Sequence, residues 1–139
     1  MRYHMFLRRF GYTGNIADDR KASDAAIAQL HRRFSAREQE QIYDEALPLM
    51  RTSQSKARFC DGLEQLHDTL GDVESVTDKW IKVFIGGSVE IRAVCNTKFT
   101  KGDATEMVTF VKDRGTVRLV AYRISGGTTK PTEPEWHFA

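Results

Sequence analysis

Residues 59–99, FCDGLEQLHDTLGDVESVTDKWIKVFIGGSVEIRAVCNTKF, decide the fold. In the first part of this stretch, apolar side chains recur at steps of four, three and four residues, which places them on one face of an α-helix. These side chains are Phe59, Leu63, Leu66 and Leu70. Gly71 stands where helices commonly end in a left-handed residue, and beyond it the hydrophobic period is two. The stretch therefore predicts a helix followed by strands.

Two further helical patterns lie upstream. Ser23 and Asp24 can cap the first of them. Its apolar side chains follow at helical spacing: Ile27, Leu30 and Phe34. Ser35 and Glu38 have the S-x-x-E spacing of a capping box, which predicts that a new helix begins there. We expect two short helices with a corner near Ser35, or one bent helix.

Four strands are predicted after Gly71. They cover residues 73–84, 89–99, 104–112 and 116–124, separated by short turns that contain glycine. In the second strand the odd-numbered residues are the more apolar ones, so we expect them to face inward. The last two strands carry apolar residues on both faces, which indicates a bulge, strong curvature or a second protein surface over the outer face.

The order of elements predicts one α+β domain over residues 23–125, with helices packed on one face of an antiparallel sheet. Residues 1–22 form a basic, aromatic leader that we expect to be flexible. The alternatives are packing on the domain or on a second subunit, and a patch for RNA or lipid. Residues 126–139 read as a tail, with Trp136 and Phe138 as its docking tip.

Composition narrows the classes of partner. The 139 residues contain 21 Lys and Arg against 19 Asp and Glu, a net charge of +2, which argues against nucleic-acid binding driven by whole-chain charge. No apolar run approaches the roughly 20 residues of a membrane helix, and the first residues lack the apolar core of a signal peptide. We therefore expect neither nucleic acid nor membrane as a partner, and a cytoplasmic location for the chain as given.

The closing hairpins resemble a known superfamily. The residues that carry the resemblance are 96–99 (NTKF), 102–103 (GD), 106–110 (EMVTF) and 118–124 (RLVAYRI), with the helix end at Leu70 and Gly71 before them. They are similar to small bacterial proteins of unknown function in the cystatin-like, nuclear-transport-factor-two-like superfamily. Ala121 and Val117 depart from its pattern, which favours glycine and tryptophan there.

This resemblance implies N-terminal helices on one face of a curved four-stranded antiparallel sheet, with a pocket on the concave side. The superfamily includes isomerases, dehydratases and many non-enzymatic binding or dimerisation modules, so it does not fix an activity. Several such relatives are exported, so export is the alternative to the cytoplasmic location expected above.

A metal site is one candidate. Cys60, His67 and Cys95 are chemically suitable zinc ligands, but the sequence offers no C-x-x-C or H-x-x-x-H pair to anchor a four-ligand site. We therefore expect both cysteines to be ordinary unligated thiols, and no metal or other cofactor.

Acid–base groups and aromatic residues are the other candidates. The groups that could act as acids or bases are His67, Tyr43, Asp44, Glu106 and Tyr122. The residues that we expect to line the pocket are His67, Tyr43, Trp80, Phe99, Phe110 and Tyr122. At strand spacing such aromatic residues are more often simple core.

The sequence therefore favours a non-enzymatic binding or interaction module that uses the concave pocket or the outer face of the sheet. The alternative is a small-molecule enzyme, isomerase-like or dehydratase-like, with His67 and Tyr122 in the pocket. The expected partners are a small apolar ligand and a second copy of the chain, bound through the outer sheet face.

Overall fold

A computed structural model of the chain describes residues 16–126 and 135–138. Over these residues the helices come first and the strands follow. The helices are α1 (Ile16–Ser35), α2 (Gln39–Glu45), α3 (Pro48–Ser53) and α4 (Lys56–Leu70). The strands are β1 (Val73–Ile85), β2 (Val89–Phe99), β3 (Gly102–Asp113), β4 (Thr116–Gly126) and β5 (Glu135–Phe138). The prediction of an α+β chain with an antiparallel sheet is confirmed.

Helix α4 is the helix that the apolar stripe predicted. Its N-terminus is capped by Ser55, whose hydroxyl accepts a hydrogen bond from the Arg58 N–H at 3.3 Å. It ends at Gly71, which has a φ of 81°. A Cβ at Gly71 would lie 1.8 Å from Oγ1 of Thr100, so glycine is required there by both conformation and space.

Helix α1 begins at Ile16, seven residues before the predicted start, with Asp18 and Asp19 in its first turn. Carboxylates there interact favourably with the helix dipole, which helps explain the early start. The part of the leader before Ile16, residues 1–15, lies outside the described residues.

The predicted corner near Ser35 is present, since α1 ends at Ser35 and Arg37 has a φ of 60°. The predicted capping box is wrong. The Ser35 hydroxyl accepts a hydrogen bond from the Val73 N–H at 3.0 Å, and Glu38 at the start of α2 makes no side-chain cap. The spacing matched the motif, but the hydroxyl instead joins the end of α1 to the start of β1.

All neighbouring strands are antiparallel, in the order β1-β2-β3-β4-β5. In β2 the odd-numbered side chains are buried against the helices, as predicted. The buried core lies between the helices and this inner face of the sheet. Its largest members include Phe59, Phe99, Ile27, Met50, Leu63 and Leu66.

A β-bulge reconciles the two apolar faces of the last strands. Thr109 pairs with Ala121, but Phe110 pairs with Leu119, so Val120 is the extra residue in β4. Because of this insertion, Leu119 before the bulge and Tyr122 after it both face inward and are buried. The predicted bulge is confirmed.

The sheet has a fifth strand that the sequence analysis assigned to the tail. Phe138 of β5 pairs with Tyr122 of β4, and its ring packs edge-on against Phe59 at 5.6 Å between centroids. The strand is only four residues long and follows a glycine- and proline-containing segment, so periodicity could not reveal it. The predicted docking of Phe138 is seen; the side chain of Trp136, residues 127–134 and Ala139 lie outside the description.

Candidate functional site: a buried carboxylate between helix and sheet

The most unusual group in the core is the carboxylate of Glu106, which is 0% exposed. Its Oε1 atom lies 2.8 Å from Nε2 of His31 and accepts a hydrogen bond from the Thr97 hydroxyl. Its Oε2 atom accepts a hydrogen bond from the Tyr122 hydroxyl. An ionised carboxylate can only accept, so in that state His31 donates through its Nε2–H. We call these four side chains the Glu106 cluster.

The register of the sheet brings three of the four groups together. Glu106 lies opposite Cys95 on β2 and Ile124 on β4, on the inner face. Thr97 lies diagonally across from Glu106, two residues along β2 from Cys95, and Tyr122 lies two residues before Ile124. Diagonal neighbours of this kind are within reach of long side chains. The sheet therefore assembles the cluster from three strands, and α1 completes it with His31.

Burial shapes the electrostatics around Glu106. Burial raises the pKa of Tyr122 well above its usual value, and the neighbouring Glu106 carboxylate raises it further. The pKa of Cys95 is raised to about 12, first by burial and then by Glu106. Both acids therefore stay protonated at neutral pH, and Tyr122 acts as a hydrogen-bond donor toward Glu106 rather than as a base.

The cluster is built to hold elements together. Glu106, Thr97, Tyr122 and His31 are all buried, and both Glu106 oxygens already have protein donors. A substrate would have to displace one of these donors to reach the carboxylate. In the observed arrangement the cluster joins α1 to β2, β3 and β4. A salt bridge of 3.0 Å between Asp19 and Lys112 joins the same helix to β3 a second time.

The structure brings Glu106 and Tyr122 together, but it places His67 and Tyr43 elsewhere. His67 lies near the end of α4, where its Nε2 atom is 2.7 Å from Oδ1 of Asp72 and its ring packs on Phe34. The Tyr43 hydroxyl donates to the backbone oxygen of Gln54 at 2.7 Å and ties α2 to the end of α3. Asp44 faces solvent and pairs with Lys56 at 3.1 Å.

The aromatic candidates divide between the two sides of the sheet. Phe99 and Phe110 are buried in the core, on the inner face. Trp80 is 55% exposed and lies in register with Val94 on the opposite, outer face. It therefore lies on the opposite side of the sheet from the buried Phe99 and Phe110.

His31 is the cluster member that sequence reasoning missed. It follows Leu30 directly and stands four residues after Ile27, on the apolar stripe of α1. A titratable side chain within such a stripe was the available signal. The sequence alone could not show its partner, because Glu106 lies 75 residues away along the chain.

The three candidate zinc ligands do not converge. His67 is paired with Asp72, Cys95 lies opposite Glu106 on the sheet, and Cys60 is half-buried on α4. Within residues 16–126 and 135–138, no group of three or more His, Cys, Asp or Glu side chains is placed to hold a metal ion.

Within the described residues, cavities lie on both sides of the sheet. One, of about 130 Å³, lies between α1, α2 and the inner face and is lined by Leu30, Ile42, Phe110 and Leu119 among others. Another, of about 280 Å³, is a depression in which Thr109 and Ala121 are flanked by Arg92, Met107 and Arg123. Neither is lined by Glu106 or His31.

The outer face carries an apolar row across neighbouring strands. Trp80 pairs with Val94, and Val94 pairs with Met107, so the three side chains lie side by side. Met107 is 42% exposed. Phe84 is also exposed on this face, with the Arg92 guanidinium 4.6 Å from its ring centroid. We call Trp80, Phe84, Val94 and Met107 the outer patch.

The comparisons with known proteins give no family for the chain. No protein-family model matches it, and no curated protein matches it. Among the described helices, none is long and apolar enough to cross a membrane.

Proposed function

We propose that the chain is a non-enzymatic interaction module that binds a second copy of itself through the outer face of its sheet. The observation that carries the proposal is the outer patch. Of the four large hydrophobic side chains that are exposed among the described residues, three belong to it: Trp80, Phe84 and Met107. Clustered exposed apolar residues on soluble proteins commonly mark an interface.

The dimensions of the face support self-association. With strands of 11 to 13 residues, four strands spaced by about 4.8 Å and rising about 3.3 Å per residue make a face on the order of 700–800 Å². A standard-size contact buries about 800 Å² per partner. A second copy, related by a two-fold axis, supplies the same face in return, which makes it the simplest occupant.

The concave side supports a ligand less well. Its cavity of about 130 Å³ is smaller than the roughly 300–1,000 Å³ of typical small-molecule sites. We therefore place the small apolar ligand second to the protein partner. The curved, cystatin-like form of the fold is also part of the proposal; the bulge in β4 supports it, because bulges bend strands.

The alternative function, a small-molecule enzyme, draws its support from the Glu106 cluster. A buried carboxylate beside a tyrosine and a histidine is a chemically competent acid–base set. The alternative requires that the cluster open to solvent. Trapping of an apolar ligand beside Glu106, with loss of that binding in Glu106→Gln, would favour it.

Sedimentation analysis tests the dimer. At about 100 μM the chain should be associated, since this concentration is far above a micromolar Kd. Met107→Glu places a charge in the outer patch, and we expect it to halve the mass. Leu49→Glu is the matched control, because Leu49 is an equally conspicuous exposed apolar side chain but lies on α3.

The control variant should keep the mass of the parent chain. A parent chain that is monomeric at this concentration, or a Met107→Glu variant with the mass of the parent, would overturn the proposal.

A further inference from the structure

We infer that β1, the longer edge strand of the sheet that the structure describes, pairs antiparallel with β1 of a second copy about a two-fold axis at Trp80. This goes beyond the proposed function, because it joins two sheets edge to edge instead of face to face. The axis of such a pairing is normal to the sheet, whereas the axis of a face-to-face contact lies along it. Both contacts are therefore compatible in one assembly.

The edge itself is long and open. β1 has 13 residues and pairs with β2 on one side, and within the described part of the chain no strand lies on its other side. Residues 77–80 in its middle are exposed. Unpaired backbone N–H and C=O groups along such an edge are a template for another strand.

Regular pairing is confined to the second half of β1. The register with β2 shifts between Val73 and Ser75 and again between Val76 and Asp78, and it runs without a break from Asp78 to Ile85. Bulges twist an edge away from an incoming strand, so they disfavour pairing in the first half. A second copy can therefore add only along this regular half, and an axis at Trp80 keeps residues 78–82 of both strands within it.

Charge selects the register. With the axis at Trp80, Asp78 lies opposite the partner's Lys82, Lys82 lies opposite the partner's Asp78, and the two Trp80 side chains meet. Both charged side chains are exposed, and neither forms an ion pair within the described residues. Directly opposed charges of opposite sign stabilise a strand pair.

Neighbouring registers lack this match. An axis at Lys79 or Ile81 places Asp78 opposite an aromatic side chain, Trp80 or Phe84 of the partner subunit. An axis at Asp78 opposes two carboxylates, and like charges directly opposite destabilise a strand pair.

Lysines on an edge usually block such pairing, but both lysines of this segment can be neutralised. Lys79 points to the inner side and forms an ion pair with Asp24 of α1. Lys82 remains on the outer side, and the Trp80-centred register gives it a carboxylate from the second copy.

Charge exchange in a Met107→Glu background tests the inference, because that background removes the face contact. Met107 lies two strands from β1, about 10 Å across the sheet, so the edge remains intact. With both contacts the parent chain is a tetramer, so halving its mass means that we expect Met107→Glu to sediment as a dimer at about 100 μM. Adding Asp78→Lys or Lys82→Asp should give monomers, and adding both together should restore the dimer.

A crosslink gives a second measurement. In the same background, Trp80→Cys places two thiols on the axis, where opposed Cα atoms about 4.5–5.5 Å apart suit a disulfide. Phe84→Cys is the matched control on the same face of the same strand. We expect rapid oxidation to a covalent dimer only for Trp80→Cys.

The outcomes separate the two contacts. A monomeric Met107→Glu chain beside an associated parent supports the face contact and overturns the edge pairing. Single charge variants that stay dimeric, or a double exchange that stays monomeric, overturn the Trp80-centred register. A dimer that responds to charge exchange supports the edge pairing even if Met107→Glu has the mass of the parent.

Discussion

Two adjacent residues of β3 reverse the usual distribution of polarity. Glu106, a carboxylate, is fully buried on the inner face, and Met107, an apolar side chain, is 42% exposed on the outer face. Strand alternation explains the reversal, because neighbours at even positions, Ala104, Val108 and Phe110, all face the core. Moving Glu106 out by a slip of one residue would expose those three side chains.

The two exceptions differ in how they are compensated. On the inner face the compensation is internal, since His31, Thr97 and Tyr122 surround the buried carboxylate. On the outer face nothing among the described residues covers Met107 to the same extent. The inner exception therefore stabilises the fold, and the outer exception is the one for which we propose a partner.

Removing Glu106 should have the largest effect on stability. Glu106→Ala leaves three buried hydrogen-bonding groups without their common partner, and we expect a loss of about 3–5 kcal/mol in the free energy of unfolding. Urea denaturation measures it. Glu74→Ala, at an exposed position of β1, is the control and should change stability by less than about 0.5 kcal/mol.

Glu106→Gln sharpens this test. The amide keeps one acceptor oxygen and nearly the same volume, so the loss should be smaller than for alanine. Equal stability of the parent and the alanine variant would show that the cluster does not hold α1 to the sheet.

Alkaline pH should lower the free energy of unfolding through Cys95, which lies opposite Glu106 on the sheet. The effect should be smaller than that of Glu106→Ala and larger than that of the outer-face variant described below. The pKa of Cys95 is about 12 in the folded chain against an ordinary value of 9.0. Below pH 9 both states keep the thiol proton, so the stability is fully present. Above pH 9 the unfolded chain loses the proton first, and stability falls by about 1.4 kcal/mol per pH unit until the folded thiol ionises.

The denaturation midpoint between pH 8 and 10 measures this loss, and Cys95→Ala should remove most of the slope. Cys60→Ala is the matched control, since that thiol is only half-buried and a smaller change in slope is expected. Tyr122, whose pKa is also raised, adds a further decline above pH 10. A slope unchanged by Cys95→Ala would contradict the assignment of the alkaline loss of stability to the Cys95 thiol.

Features of this molecule that depend on residues close together in the sequence could be predicted, and features that depend on residues far apart could not. Local periodicity and Gly71 predict α4 and the four long strands, because a repeat of side chains determines which face is buried. The role of Ser35 was missed because its hydroxyl binds a backbone N–H far along the chain, that of Val73. Strand β5 was missed because it forms only by pairing with β4. Glu106 and Tyr122 were among the candidates, but their pairing needed the β3–β4 register.

The smallest expected effect on the fold belongs to the outer face. Met107→Ala shortens a side chain on the outer face that is already 42% exposed, so the free energy of unfolding should change by less than about 0.5 kcal/mol. Val108→Ala, one residue along the same strand and fully buried, should cost about 2 kcal/mol. Both are measured at about 0.1 μM, where a contact with a micromolar Kd is dissociated. A loss for Met107→Ala that matches Val108→Ala at this dilution would mean that Met107 packs within its own chain. The outer patch would then not be a surface available to a second copy of the chain.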